Sequence, residues 1–431
     1  WSEPRPVDPR FQRMTAHPLP EPVEGTVRDY AALPSLRPRF WQPLFIPGES
    51  TVDGDLLKPF VGLATWASDL VGRHSVRLQG ALSLSGEELN GRLEYAYAGL
   101  GNPVLDFRAE QEWDGEGPFE ARRDSVSPPE NLYIREREQR VSLGATLNRV
   151  RWNSALALSG RAGLVWESRR LLDADFVRPE AFALRQPESR LAEGQLSLAF
   201  STARQHALSI SPEEGVTAFI LARARREQAL ADTLVDRPGW DRSTDEVLGQ
   251  LKFYQSFRGP GFADHVLAVR AAGGAARGPG ADALTFEVGG TPGASERVTG
   301  LGLFGGYSTF FPVRGYRRGD RAGRYAWVGS AEYRFPLARV NRGPGLFPLH
   351  LDALSGGLFL DAGNAWGPEL GLPGFQRPRG TTLWSAGGEV SARITTFFNV
   401  PLTLRTGVAF PGVDVPGGAS PTWYIRLGPS F

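Results

Sequence analysis

Residues 423 to 431 alternate without a slip. Trp423, Ile425, Leu427, Pro429 and Phe431 fall on one face of an extended strand, and Tyr424, Arg426, Gly428 and Ser430 fall on the other. Successive strand side chains point to opposite faces, so this period of two marks a strand with one apolar, aromatic-rich side. The same texture runs through the chain from Lys58 onward. Val76, Leu78, Gly80, Leu82 and Leu84 share a face, as do Leu93, Tyr95 and Tyr97, and a return strand is expected over Ala207 to Ala222. Between the strands, long polar connections at 114–134, 167–189, 223–244 and 276–283 alternate with short turns, the tightest around Asn148 and Arg149. Long loops at one end and short turns at the other are the pattern of a transmembrane barrel, and about sixteen candidate strands give the even number that closure requires. Helical periodicity is scarce. Phe219 to Ala231, rich in Ala and Arg, is the best candidate for a helical turn, or else the rim of a long strand.

Composition agrees with this reading. The chain of 431 residues is 41% hydrophobic, and no run approaches the length of a membrane helix. A transmembrane strand needs only about 9–11 residues, alternate ones apolar, so such proteins hide in a mean hydropathy of −0.26. There is no Cys, hence no disulfide framework and no thiolate site. A net charge of +1 carries no nucleic-acid footprint. All basic residues but Lys58 and Lys252 are arginine. Base composition of the genome is one reason; arginine's forked hydrogen bonding inside a polar lumen is another.

Residues 1–57 differ from the rest. Pro4, Pro6, Pro9, Pro18, Pro20, Pro22, Pro34, Pro38, Pro43 and Pro47 leave few strands or helices intact. The segment reads as a periplasmic or lumenal lead-in anchored by Phe40, Trp41 and Phe45, with the barrel over 58–431 and a weak first strand near Gly62. A leader, and any upstream periplasmic domain, is expected to lie outside the sequence given.

Three motifs stand out in the last third: Val313-Arg314-Gly315-Tyr316, then Glu332-x-Arg334-x-Pro336, then Phe359-x-Asp361-x-Gly363. Their order, together with the terminal aromatic strand, resembles the BamA-like superfamily of outer-membrane insertases and translocators, also called the bacterial surface antigen family. The resemblance implies an all-β, 16-stranded antiparallel transmembrane β-barrel whose long sixth outer loop folds into the lumen with the Arg-Gly-Tyr motif at its tip. Phe359, Asp361 and Gly363 share one strand face, opposite Leu358, Leu360 and Ala362; the first set is expected to face the lumen and the second lipid. An arginine fork on a carboxylate is the strongest polar tether for such a loop, which pairs Arg314 with Asp361. Gly315 permits a turn that a side chain would block. Glu332 and Arg334 extend the network, and Glu389, after Gly387 and Gly388, is a weaker match. The tether is either architectural or part of gating.

Other patterns carry little. Gly300 to Gly305 matches GxGxxG without the following helix, and the five histidines show no ligand spacing, so neither a cofactor nor a metal is expected. No G-x-S-x-G elbow marks a fused esterase. Trp66, Trp113, Trp152, Trp166, Trp327, Trp366, Trp384 and Trp423 lie near strand ends, as girdles or as packing residues. The resemblance implies a non-enzymatic protein of the bacterial outer membrane. Its expected partners are lipid, unfolded outer-membrane or secreted polypeptides, and other outer-membrane or periplasmic subunits. Three functions stay open: polypeptide insertion or translocation, an inert anchor or subunit of a larger assembly, and a passive pore.

Overall fold

Alternation becomes architecture in one antiparallel sheet. The computed structural model describes residues 30–38, 40–46, 49–51, 54–121, 130–172, 188–228, 243–278, 286–291, 310–317, 319–367, 381–396, 400–414 and 421–427. Its strands are β1 (Gln42–Ile46), β2 (Glu49–Thr51), β3 (Gly54–Leu57), β4 (Phe60–Ser68), β5 (His74–Ser83), β6 (Leu89–Tyr97), β7 (Val104–Ala121), β8 (Glu130–Arg151), β9 (Ser154–Leu172) and β10 (Glu188–Ser201). They continue as β11 (Gly215–Glu227), β12 (Thr244–Phe257), β13 (His265–Arg277), β14 (Phe286–Val288), β15 (Arg321–Gly323), β16 (Tyr325–Arg342), β17 (Leu349–Trp366), β18 (Leu383–Thr396), β19 (Val400–Pro411) and β20 (Thr422–Leu427). Sixteen of them form a single sheet in the order β1-β4-β5-β6-β7-β8-β9-β10-β11-β12-β13-β16-β17-β18-β19-β20. The short pairs β2–β3 and β14–β15 stand apart from it.

Each wall strand sorts its residues by parity. On β17, Leu358 and Leu360 are exposed while Phe359 and Asp361 are buried; on β13, Leu267 and Val269 face out while Val266, Ala268 and Arg270 face in. On β5, Leu78 and Leu82 are outside and Gln79, Ala81 and Ser83 inside. So much exposed Leu, Val and Trp would be an aggregation patch in water and is the required surface in lipid. Closing the sheet is also the way a β-structure satisfies its backbone in hydrocarbon. Of the tryptophans expected as girdles, Trp66, Trp152, Trp327, Trp366, Trp384 and Trp423 are exposed, and Trp113 and Trp166 are half-buried.

Several boundaries move. The sheet begins within the segment read as a lead-in: Gln42–Ile46 pairs antiparallel with β4, from Gln42↔Ala64 to Ile46↔Phe60. Gly62 therefore lies in the second strand of the sheet. Pro43 hid β1 from the sequence, and a proline is tolerated there because an end strand has one side free of the ladder. Phe40 packs edge-on against Trp66 at 3.9 Å between ring centroids. The strands extend into the polar stretches at 114–134 and 167–189: β7 runs to Ala121, β8 starts at Glu130, β9 runs to Leu172 and β10 starts at Glu188, and the residues between lie outside the described ones. Beyond the membrane both faces of a strand are polar, so the period-two signal fades while backbone pairing continues. The tight turn falls at Trp152 and Asn153, past Asn148 and Arg149. Phe219 lies in strand β11, whose lipid face carries Ala218, Ile220, Ala222 and Ala224 and so mimics a helical composition. Residues 202–214, expected to begin a strand at Ala207, form instead a long turn between β10 and β11.

Candidate functional site

The described parts of the chain between β13 and β16 lie inside the sheet. β14 and β15 pair from Phe286↔Gly323 to Val288↔Arg321, and Gly290 bridges Val313. The amide of Gly289 donates to the carbonyl of Phe311 at 3.1 Å, and that of Gly290 to the carbonyl of Tyr316 at 2.9 Å. Phe286, Val288, Phe311, Val313 and Tyr316 are buried against wall residues Leu248, Ala272, Ala276, Ala326, Val328, Ala365 and Leu383. Alanines on the inner wall make room for the larger loop side chains. Each fully buried Val or Phe contributes about 1.5–3 kcal/mol relative to exposure, so apolar packing seats the loop alongside charge.

Two glycines shape the approach. Gly315 has φ of +90°, and a Cβ there would lie 3.1 Å from the Ala409 Cβ. Gly363 lies beneath the loop: a Cβ would stand 2.9 Å from Val313 Cγ2. The glycine of the Phe359-x-Asp361-x-Gly363 motif thus clears space for the valine of Val313-Arg314-Gly315-Tyr316.

Arg314, 1% exposed, ends in a cage of strand side chains. Its Nε donates to Asp361 Oδ2 at 2.6 Å and its Nη2 to Asp361 Oδ1 at 2.7 Å, a bidentate fork. Its backbone amide donates to the same carboxylate at 3.2 Å. Nη2 also donates to Ser330 Oγ at 3.1 Å, and Nη1 to Glu389 Oε1 at 3.2 Å. Glu332 Oε1 lies 2.7 Å from Nη1, a close ion pair whose geometry falls short of an aligned hydrogen bond. The guanidinium lies over the Phe359 ring, 3.6 Å from its centroid. Around this core Arg334 pairs with Glu332 at 2.7 Å and Arg405 with Glu389 at 2.9 Å. Three guanidiniums therefore meet three carboxylates, as buried charges require.

The cage also holds the last strand. Tyr424 is buried on β20 and donates to Glu389 Oε1 at 2.5 Å. Thr422 Oγ1 donates to the carbonyl of Gly315 at 3.3 Å. At the neighbouring loop residue, Tyr316 Oη donates to the Trp384 carbonyl at 2.8 Å and accepts from the Val413 amide at 3.0 Å.

The residues singled out from the sequence converge: Val313, Arg314, Gly315, Tyr316, Glu332, Arg334, Phe359, Asp361, Gly363 and Glu389 all line one region of the lumen. On the terminal strand Trp423 and Ile425 face outward as their alternation requires. Leu427 ends β20, and Phe431 lies outside the described residues. Sequence reasoning missed Ser330, Arg405, Tyr424 and the apolar seat. Ser330 shares a strand face with Glu332, and Tyr424 sits on the polar side of the same alternation that made Trp423 and Ile425 conspicuous, so the signal was parity. Register fixes the neighbours, placing Ser330 opposite Asp361 and Glu332 opposite Phe359.

No family model matches the sequence, and no curated protein sequence matches it. Among solved structures, BamA from Haemophilus ducreyi lacking POTRA domains 1–3 aligns with 90% of this chain and 69% of its own, at 14% identity and a TM-score of 0.54. CdiB from Escherichia coli aligns with 90% of this chain and 62% of its own, at 14% identity and a TM-score of 0.52. The chain thus spans about two thirds of the first and less than two thirds of the second. At this identity the likeness shows the fold alone, a 16-stranded antiparallel sheet arranged as in these two proteins.

Proposed function

We propose that this barrel inserts or translocates polypeptides at the bacterial outer membrane, without chemical catalysis, by parting the sheet between its first and last strands. One observation carries the reading: the loop lock and the last strand share a single ion cage. Within the described residues β20 covers six and meets β19 from Leu404↔Leu427 to Ala409↔Thr422. β1, at the other end of the sheet order, has five. The described parts of both are shorter than the roughly 9–11 residues of an ordinary transmembrane strand, and no pairing between β1 and β20 is found among the described residues. Beyond the β19 ladder, β20 is held by Tyr424 on Glu389, the carboxylate that also receives Arg314, and by Thr422 on the loop carbonyl of Gly315. A lock that only filled the lumen has no need to touch β20.

Clients on this reading are unfolded outer-membrane or secreted polypeptides, and a strand of the client is the natural occupant of an opened edge. Lipid surrounds the wall, and periplasmic subunits deliver the client. The test is a disulfide across the seam in a chain that has no Cys of its own. Pro43→Cys on β1 and Ile425→Cys on β20, both outward-facing, are crosslinked in native membranes, with neighbouring positions covering the register. Loss of outer-membrane protein assembly or secretion while the barrel stays folded is expected, with recovery on reduction. Full activity of the crosslinked protein would sink the proposal and leave an anchor or pore.

A further inference from the structure

The connection that carries the lock leaves the sheet at the end opposite the turn 202–214. We infer that the turn 202–214 closes the same quadrant from the periplasmic side, and that Arg393 is its catch. This inference stands apart from the client reading. The other described turns at this end are short: residues 69–73, 98–103, 152–153, 258–264 and 343–348. The segment 202–214 is about twice the length of the longest of them, and it is ordered by its own contacts. Arg204 and Glu214 form an antiparallel bridge, and the Glu213 amide donates to the Arg204 carbonyl at 2.9 Å. The His206 amide donates to Ser209 Oγ at 2.8 Å. Gly215, with φ of +102°, turns the chain into β11.

The two sides of this strap differ. Residues 204–208 are exposed, whereas Ser209 and Glu213 are buried and Ile210, Ser211 and Pro212 half-buried. At its near end the Arg204 guanidinium lies over the Trp152 ring of the neighbouring turn, 5.4 Å from the centroid. At its far end Arg393 Nη2 on β18 donates to the Ser209 carbonyl at 2.9 Å. Between β11 and β18 the sheet order places β12, β13, β16 and β17, so the strap runs as a chord beneath four strands. Arg393 shares its strand face with Glu389, so it points into the lumen. Above the strap lies a cavity of about 280 Å³, with Ile210, Ser211 and Pro212 at one end and Arg314, Glu389 and Arg405 of the cage at the other. Anything passing along this part of the lumen must displace both closures.

Accessibility of the cavity tests the inference. Thr403 lines it, so Thr403→Cys supplies the only thiol in the chain. The purified barrel in lipid nanodiscs is reacted with a bulky, membrane-impermeant maleimide. Slow labelling is expected with the strap intact. Arg393→Ala should raise the rate about tenfold or more, the share of one charge-assisted hydrogen bond in the closed–open balance. Arg393→Lys, which still reaches the carbonyl with a cation, should restore slow labelling. A second variant replaces residues 203–213 by a short Gly-Ser link and should label fastest; circular dichroism and thermal melting confirm that each variant is folded. Rapid labelling with the strap intact overturns the inference, as does an unchanged rate when the strap is shortened. Acceleration by the shortened strap alone, with Arg393→Ala inert, removes Arg393 as the catch and so overturns the inference in the form given.

Discussion

Two ion networks fill this lumen, and they are built differently. One belongs to the wall alone. Arg225 on β11 donates to Glu193 on β10 at 2.8 Å, to Glu167 on β9 at 3.0 Å and approaches Glu138 on β8 at 3.2 Å. Arg140 reaches Glu110 at 3.0 Å and Glu193 at 3.4 Å, while Arg223 takes Glu246 at 2.9 Å. Every strand it joins is already joined by a long backbone ladder. The other network is the Arg314 cage, which ties a loop and a six-residue end strand to the wall. The wall network repeats connections that the backbone makes anyway. The cage ties elements that the sheet ladders hold less, a loop outside the sheet and an end strand paired on β19, alongside the apolar seat and the Tyr316 hydrogen bonds. A buried ion pair is weak evidence for stability taken alone, but one that fixes a choice between two arrangements serves specificity. The cage is placed to do that, and the wall network is not.

The largest expected effect follows from this contrast. Arg314→Ala strands Asp361 in a buried site, while Glu332 keeps Arg334 and Glu389 keeps Arg405, and breaking a buried pair from one side costs about 3–5 kcal/mol. The loop should undock, read as new protease cleavage near residues 310–317 and a lowered melting temperature. Arg225→Ala should cost less than half as much, because Arg140 and Arg223 stay within reach of Glu193 and the ladders persist. Equal losses, or a larger loss at Arg225, would dissolve the distinction between the two networks.

Much of the cage was legible in the sequence, for a physical reason. Arg314, Asp361, Glu332 and Gly363 belong to short motifs in which strand parity already fixes which side chains share a face. What the motifs could not show was partnership across strands. Arg405 and Tyr424 join through register, and register is set by ladders that no local pattern displays. The same limit hid β1, where Pro43 broke the local pattern although the pairing with β4 survives. It also hid the strap 202–214, since a turn that crosses a lumen has no periodicity of its own. Parity was readable and pairing was not.

Asp361→Asn sharpens the picture from the carboxylate side. The amide keeps one acceptor for Arg314 but loses the charge, so an intermediate cost of about 1.5–3 kcal/mol is expected in thermal or denaturant unfolding. Tyr424→Phe comes next. It removes one hydrogen bond to Glu389 and leaves the ring, costing about 1–2 kcal/mol, and the effect should fall on β20. Hydrogen exchange of the β20 amides is the readout: faster exchange there with β7 to β9 unchanged is expected, and a uniform change across the barrel would refute the link between cage and seam.

The smallest effect belongs to a pair of the same chemistry in a different place. Arg226 Nη2 lies 2.7 Å from Asp245 Oδ1, as short as the contacts in the cage, yet both side chains are more than half exposed. If distance and charge set the energy, Arg226→Ala would match Arg314→Ala. Solvent screening and the entropy of two mobile side chains predict otherwise, and such pairs contribute roughly 0–1 kcal/mol. The melting temperature of Arg226→Ala should stay within error of the parent, and the loop at 310–317 should remain protected from protease. A clear loss would mean that charge count, rather than burial between a loop and an end strand, governs this barrel, and the cage would lose its special standing.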